Sequence, residues 1–134
     1  MTGGSAEIGK AIAGEFVREG AKVVICGRRR EKLSETLDEL RRNGGEVFGV
    51  QADVGASADV KRLFEEALGT YGKLDICVNN AAVIHQAKIV DMAEEDWDRL
   101  VRNNLKGVVW WFFGPCRGLS RRERSPVYRI PSSP

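Results

Sequence analysis

Hydrophobic residues along the chain alternate between helical spacing and short β-branched runs. Apolar residues three and four positions apart predict amphipathic helices, whereas short runs rich in Val and Ile are typical of strands buried in a parallel sheet. The pattern predicts helix, strand, helix, strand, helix, strand, helix. The helical stripes cover 8–16, 33–40, 60–68 and 97–101, and the predicted strands cover 22–26, 47–54 and 74–78.

Signals at the helix ends support this order of elements. Ser57 is expected to cap the third helix and Gly72 to end it, while Asp91 and Glu94 have the spacing of a capping box before the fourth. Helices and strands that alternate through short links predict an α/β fold, in which helices cover both faces of a parallel sheet.

The hydrophobic pattern stops near residue 114. The chain has 134 residues, 43% hydrophobic and 30% charged, which suits one folded domain and excludes wholesale disorder. All four prolines lie in the last 21 residues, together with five arginines and one acidic residue. We therefore expect a domain at 1–113 and a disordered Pro/Arg/Ser-rich tail at 114–134. One hypothesis is that this tail is read out of frame.

Charge and cysteine content exclude several classes of function. Twenty-one basic residues against 19 acidic ones give a net charge of +2, too even to indicate a nucleic-acid or membrane partner. Three widely spaced cysteines and one histidine fit neither a disulfide framework nor a usual zinc site, so no metal is expected. The longest apolar run, 108–113, is too short for a bilayer, and no apolar leader follows Met1. A cytoplasmic location is expected.

Glycine-rich or polar residues occur at three places that the predicted fold brings to one edge. The stretch TGGSAEIG at 2–9 precedes the first helix, Asp53-Val54 ends the second predicted strand, and 79–82 follow the third. Glycines let the backbone approach a ligand, and a helix N-terminus attracts phosphate. Open α/β sheets bind ligands at the carboxyl ends of their strands, so a nucleotide crevice is predicted. Each segment alone is equally compatible with an ordinary turn.

Together these motifs resemble the short-chain dehydrogenase/reductase family. Residues 2–9 are similar to its Thr-Gly-x-x-x-Gly-x-Gly, Asp53-Val54 to its Asp-Val adenine contact, and 79–82 to its Asn-Asn-Ala-Gly. Residues 97–107 resemble the stretch that carries the family's active-site asparagine. The resemblance implies a Rossmann-like doubly wound parallel sheet and an NAD(P)(H)-dependent oxidoreductase acting on a small-molecule alcohol/carbonyl pair, commonly as a homodimer or homotetramer.

The resemblance also implies roles for individual residues. An acid after the strand at 22–26 would bind the ribose 2′-hydroxyl, but Gly27 and then Arg28 stand there, which favours the 2′-phosphate of NADP(H) over NAD(H). An arginine simply exposed at a helix start is the alternative. The implied catalytic residue is Asn104, and the implied cofactor-binding residues are Gly3, Gly4, Ser5, Ile8, Gly9, Arg28, Asp53, Val54, Asn80 and Ala81.

The chain departs from the family pattern in four respects. Glu7 stands where the family has its middle glycine, and Ala82 replaces another glycine. Only Met1 precedes the glycine-rich loop, where the family has its first strand. Neither Tyr71 nor Tyr128 is followed four residues later by lysine, so the family's Tyr-x-x-x-Lys has no match. A truncated fold is expected. Three functions are compatible with it: the cofactor-binding fragment of an oxidoreductase, a non-catalytic dinucleotide-binding or interaction module, or a non-functional product.

Overall fold

The computed structural model describes residues 1–113, and the predicted tail at 114–134 lies outside the described residues. A 3₁₀ turn, Ile89–Asp91, precedes the fourth helix, and a π-helical turn, Val101–Lys106, joins the fourth helix to the fifth. The elements of this range are α1 Glu7–Arg18, β1 Val23–Gly27, α2 Arg30–Arg42, β2 Val47–Gln51, α3 Ser57–Tyr71, α4 Glu94–Leu100 and α5 Gly107–Phe113.

The two strands pair in parallel, with Val23 opposite Val47 and Gly27 opposite Gln51. Because successive side chains of a strand point to opposite faces, β1 serves two cores. Its residue Ile25 packs with α1 and α2, while Cys26 packs with α3 and α5. Helices therefore cover both faces of the parallel sheet, which confirms the predicted doubly wound α/β fold.

The core on the α3 side is closed by aromatic residues from the end of the described chain. Trp111 on α5 is buried and meets Phe64 of α3 edge to face, with the ring centroids 4.5 Å apart. Trp110 packs partly buried against the same cluster. Such a pair adds about 0.5–1.5 kcal/mol to the burial of its apolar surface. These contacts fix α5 against α3.

The predicted third strand at 74–78 is wrong, because 73–88 contain neither helix nor strand. A strand is defined by backbone hydrogen bonds to a neighbour. Among residues 1–113, Met1 and Thr2 alone lie between β1 and this segment. Thr2 donates its N–H to the Val78 carbonyl (2.9 Å) and forms an isolated parallel bridge with Cys26. The segment therefore borders a groove that Phe16 and Val24 also line, and the Thr2 hydrogen bond joins it to the sheet near its carboxyl end.

Other boundaries also differ from the sequence pattern. Strand β2 ends at Gln51 rather than at residue 54, because Asp53 starts a turn in which its carbonyl accepts the Ala56 N–H. Ser57 is the first helical residue of α3 and caps nothing. The predicted capping box is wrong as well, since α4 begins at Glu94 without a side-chain cap. Gly72 ends α3 in the left-handed region (φ 75°), as predicted.

Candidate functional site

Thr2 ties the glycine-rich loop to the segment after residue 78. Its buried Oγ1 accepts the N–H groups of Asn80 and Ala81, each at 2.9 Å. The Asn80 side chain completes the junction, since Nδ2 donates to the carbonyls of Thr2 (3.2 Å) and Gly3 (3.3 Å). Thr2 was not among the predicted site residues. Its membership of the glycine motif was the only signal in the sequence.

The loop is packed so tightly at its glycines that no side chain fits at those positions. A Cβ on Gly9 would lie 2.1 Å from the Gly3 carbonyl oxygen, and one on Gly4 would lie 2.6 Å from Ile25. Gly3 has φ 62°, in the left-handed region that favours glycine. These glycines hold the loop directly against α1 and β1, where its backbone faces the ends of the strands.

Glu7 is the one residue other than glycine with positive φ in the described part of the chain (φ 45°). It is exposed and is the first residue of α1. A residue with a Cβ in this region bears a strain of about 1–2 kcal/mol. This strain falls where the family motif has glycine.

The carboxyl ends of β1 and β2 open into one cleft together with the glycine loop and 80–83. The cleft brings together most of the predicted cofactor-binding residues, but Gly4, Ile8, Gly9 and Asn104 do not line it; Ile8 is 70% exposed. Asn103 and Val83 line it without having been predicted. The predicted residues in its wall are Gly3, Ser5, Arg28, Asp53, Val54, Asn80 and Ala81.

Arg28 stands at the rim of this cleft with its guanidinium exposed. No carboxylate among residues 1–113 lies within ion-pair distance of it, whereas its carbonyl accepts a hydrogen bond from Gln51 Nε2 (3.0 Å). A Cβ on the preceding Gly27 would come within 2.5 Å of Ser5 Oγ. Ser5 thus occupies the space of an acidic side chain at 27, and the rim is left positively charged.

Asn104 makes two hydrogen bonds to Val83, one to its N–H and one to its carbonyl, each 2.8 Å long. The neighbouring Asn103 is buried and donates to the Arg99 carbonyl (2.9 Å). Both asparagines belong to the π-helical turn, a feature that often marks functional sites. The structure therefore brings Asn104 not into the cleft lining but onto Val83, a residue of the cleft wall, which it holds by two hydrogen bonds.

Remaining candidate groups have ordinary contacts. His85 lies 3.3 Å from Asp96, which also pairs with Arg99 at 2.8 Å. Burial raises the pKa of the Cys26 thiol, which favours the protonated form over the nucleophilic thiolate. Within 1–113 no three metal-ligating side chains cluster, and no helix has the length and apolar character needed to cross a bilayer.

A parallel α/β sheet whose strand ends meet a glycine-rich loop at a helix N-terminus defines a dinucleotide-binding class of protein. The loop glycines, which leave no room for a Cβ, and Arg28 at the rim, which has no ion-pair partner among residues 1–113, fit a phosphate-bearing dinucleotide. The family model for short chain dehydrogenase matches residues 1–127, and the chain belongs to this family.

Individual relatives agree with this assignment. An uncharacterized oxidoreductase, YxnA of Bacillus subtilis, is 41% identical over 110 residues, which are 82% of this chain and 31% of the relative. Actinorhodin polyketide ketoreductase, solved with NADPH, is 36% identical with a TM-score of 0.79, over 81% of this chain and 41% of its own. A short-chain dehydrogenase/reductase of Burkholderia phymatum, solved with NAD, is 31% identical with a TM-score of 0.85, over 87% and 42%. The chain spans less than half the length of these proteins.

Proposed function

We propose that residues 1–113 are the cofactor-binding part of an NADP(H)-dependent short-chain oxidoreductase that acts on a small-molecule alcohol/carbonyl pair. The observation that carries this proposal is the cleft that joins Gly3, Asp53 and Asn80 with Arg28, which has no ion-pair partner within the described residues 1–113. When bound, the nicotinamide group supplies hydride chemistry. The residues of this chain bind and orient the dinucleotide.

Each part of the cleft suits one part of the dinucleotide. Asp53 and Val54 close the adenine end, because the carboxylate accepts from the 6-amino group. Backbone N–H groups at the start of α1, beside Ser5, suit the pyrophosphate. Asn80 and Ala81 form the opposite wall, where Thr2 fixes their backbone. The exposed carboxylate of Glu7 lies near the same helix start and opposes an anion there.

The choice of NADP(H) over NAD(H) rests on Gly27 and Arg28. A cleft selective for NAD(H) presents an acid to the ribose 2′-hydroxyl, whereas a guanidinium binds a 2′-phosphate through paired N–H donors. Ser5 fills the space at 27 and Arg28 is free of carboxylates within the described chain. Solved neighbours with NADPH and with NAD support a nicotinamide dinucleotide in general.

A binding module without turnover is the second candidate, favoured by the position of Tyr71. Its hydroxyl donates to the Glu46 carbonyl (3.2 Å), just before β2. It therefore lies at the amino ends of the strands, away from the cleft, and the residue four positions after it is Asp75 rather than a lysine. We expect the 134-residue polypeptide to bind NADP(H) and to turn over no carbonyl substrate.

An assembly of identical chains and a cytoplasmic location complete the proposal. Apolar side chains are exposed along α4, the π-helical turn and α5: Trp97 is 53% and Leu105 61% exposed, and Val109 lies further along. Apolar residues exposed along a helix suit a second copy of the chain. Sedimentation velocity should give a dimer or tetramer, which Leu105→Glu dissociates; a monomeric wild type would overturn this part.

Titration calorimetry with NADPH and NADH tests the proposed function. We expect NADPH to bind about tenfold more tightly, the effect of one charged pair. Arg28→Ala should remove this preference, while Arg42→Ala, an exposed arginine at the far end of α2, should retain it. Equal affinities in the wild type would overturn the NADP(H) preference, and binding of neither would overturn the dinucleotide site.

A further inference from the structure

Two side chains of α3 hold the loop that follows β2. Asp59 accepts the Asp53 N–H on Oδ2 (2.8 Å) and Arg62 Nη2 on Oδ1 (3.1 Å). The same Nη2 donates to the carbonyl of Gln51 (2.7 Å), and Nη1 donates to Glu66 (3.2 Å). We call Asp59 and Arg62 the α3 clasp, because together they grip the backbone on both sides of Ala52.

The clasp fixes a residue of the cleft wall. The backbone N–H of Asp53 donates to the Asp59 carboxylate. The Oδ1 atom of the Asp53 side chain accepts the Gly55 N–H (2.9 Å). Backbone and carboxylate of Asp53 are thus held by separate partners. With the N–H unbound, rotation about the adjacent bonds would redirect the carboxylate in the cleft.

The electrostatics of the clasp keep it formed near neutral pH. The hydrogen bond from the Asp53 N–H, followed by that from Arg62, lowers the pKa of Asp59. The contacts with Asp59 and Glu66 raise the pKa of Arg62. Both members are therefore charged, and hydrogen bonds to charged groups are the stronger ones.

We propose that Asp59 and Arg62 are positioning residues for adenine recognition, acting through the backbone of Asp53. This inference rests on the proposed function, because it requires the adenine of a dinucleotide at Asp53. The group that is recognised is the 6-amino group of adenine, from which a correctly placed carboxylate accepts a hydrogen bond. A displaced loop still binds phosphates at the glycine motif and Arg28 but distinguishes bases less well.

The test compares NADPH with its hypoxanthine analogue, in which a keto oxygen replaces the 6-amino group. We expect the wild type to favour NADPH about tenfold and Asp59→Ala to reduce this ratio below about threefold. Asp59→Asn retains an acceptor for the Asp53 N–H and should restore part of the preference. Glu65→Ala is the matched control, since it breaks only the exposed Lys61–Glu65 pair of the same helix.

Hydrogen exchange of the ligand-free protein gives an independent readout. The Asp53 amide should exchange at least about tenfold faster in Asp59→Ala and at the wild-type rate in Glu65→Ala. An Asp59→Ala protein that melts at a lower temperature but keeps its adenine preference would show a merely structural clasp and overturn the inference. Unchanged Asp53 exchange would overturn it as well. If the wild type and all variants bind neither NADPH nor its hypoxanthine analogue, the proposed function is refuted, and the inference that rests on it falls as well.

Discussion

The side-chain amide of Asn104 and the backbone of Val83 form a two-point hydrogen-bonded pair, with Oδ1 accepting the N–H and Nδ2 donating to the carbonyl, both at 2.8 Å. Val83 belongs to the segment 73–88, which contains neither helix nor strand. At this point the pair takes the place of the backbone hydrogen bonds that a neighbouring strand would supply. Asn104 therefore holds the segment that carries Asn80 and Ala81.

Replacing Asn104 should loosen that segment. Asn104→Ala loses both hydrogen bonds, and we expect a loss of about 1–3 kcal/mol in the free energy of unfolding, measured by urea denaturation. Asn104→Asp keeps the acceptor and should lose less. Lys106→Ala, at an exposed position in the same turn, is the control. An Asn104→Ala protein as stable as this control would show that the pair carries no weight in solution.

Replacing Glu7 separates backbone strain from charge. Glu7→Gly relieves a left-handed residue at φ 45° and should stabilise the protein by about 0.5–1 kcal/mol, less than the full strain because glycine loses more entropy on folding. Glu7→Gln removes only the charge and should leave stability unchanged. Both variants should bind NADPH more tightly if the carboxylate opposes the pyrophosphate. Thermal melting and calorimetry distinguish the two effects, and a destabilised Glu7→Gly would contradict the strain.

Most of the fold was predictable because its signals are local. The end of α3 needs a residue with positive φ, and Gly72 adopts that conformation without strain. The alternation of side chains along β1 places Ile25 and Cys26 on opposite faces of the sheet. The stretch at 74–78 has an equally strong strand pattern, yet it forms no strand. A strand forms only when a neighbouring strand supplies its hydrogen bonds. Whether such a neighbour is present depends on residues far away in the sequence and not on the local hydrophobic pattern.

The candidate site was predictable only where a motif marks it. Asp53 and Asn80 were found as strand-end residues, and both line the cleft. Thr2 anchors the cleft wall through hydrogen bonds to residues nearly 80 positions away in the sequence, and no local pattern reveals such contacts. Asp59 offered a weak signal, an acid in the first turn of α3, but its grip on Asp53 depends on how the loop folds back.

The α3 clasp should give the protein a specific dependence on acid. The folded-state pKa of Asp59 lies below its ordinary value of about 3.9, so its contribution to stability is complete above that pH and is lost as the pH falls through the lower folded value. Asp59→Asn should therefore be less stable than the wild type at pH 6, and the difference should shrink below about pH 4. Urea unfolding at both pH values measures this. Glu65→Gln should follow the wild-type profile; a pH-independent deficit in Asp59→Asn would contradict the assignment.

Trp111 combines a large buried ring with an unsatisfied donor. Its Nε1 has no hydrogen-bond partner among residues 1–113, although the ring is almost fully buried against Phe64. Trp111→Ala should cost about 3–5 kcal/mol, as large-to-small changes in a core do. Trp111→Phe loses volume but also removes a buried unpaired N–H, a penalty of about 1–3 kcal/mol, so the two effects should nearly cancel. Urea denaturation followed by circular dichroism measures both variants. A Trp111→Phe protein as unstable as Trp111→Ala would show that the indole N–H is satisfied in solution.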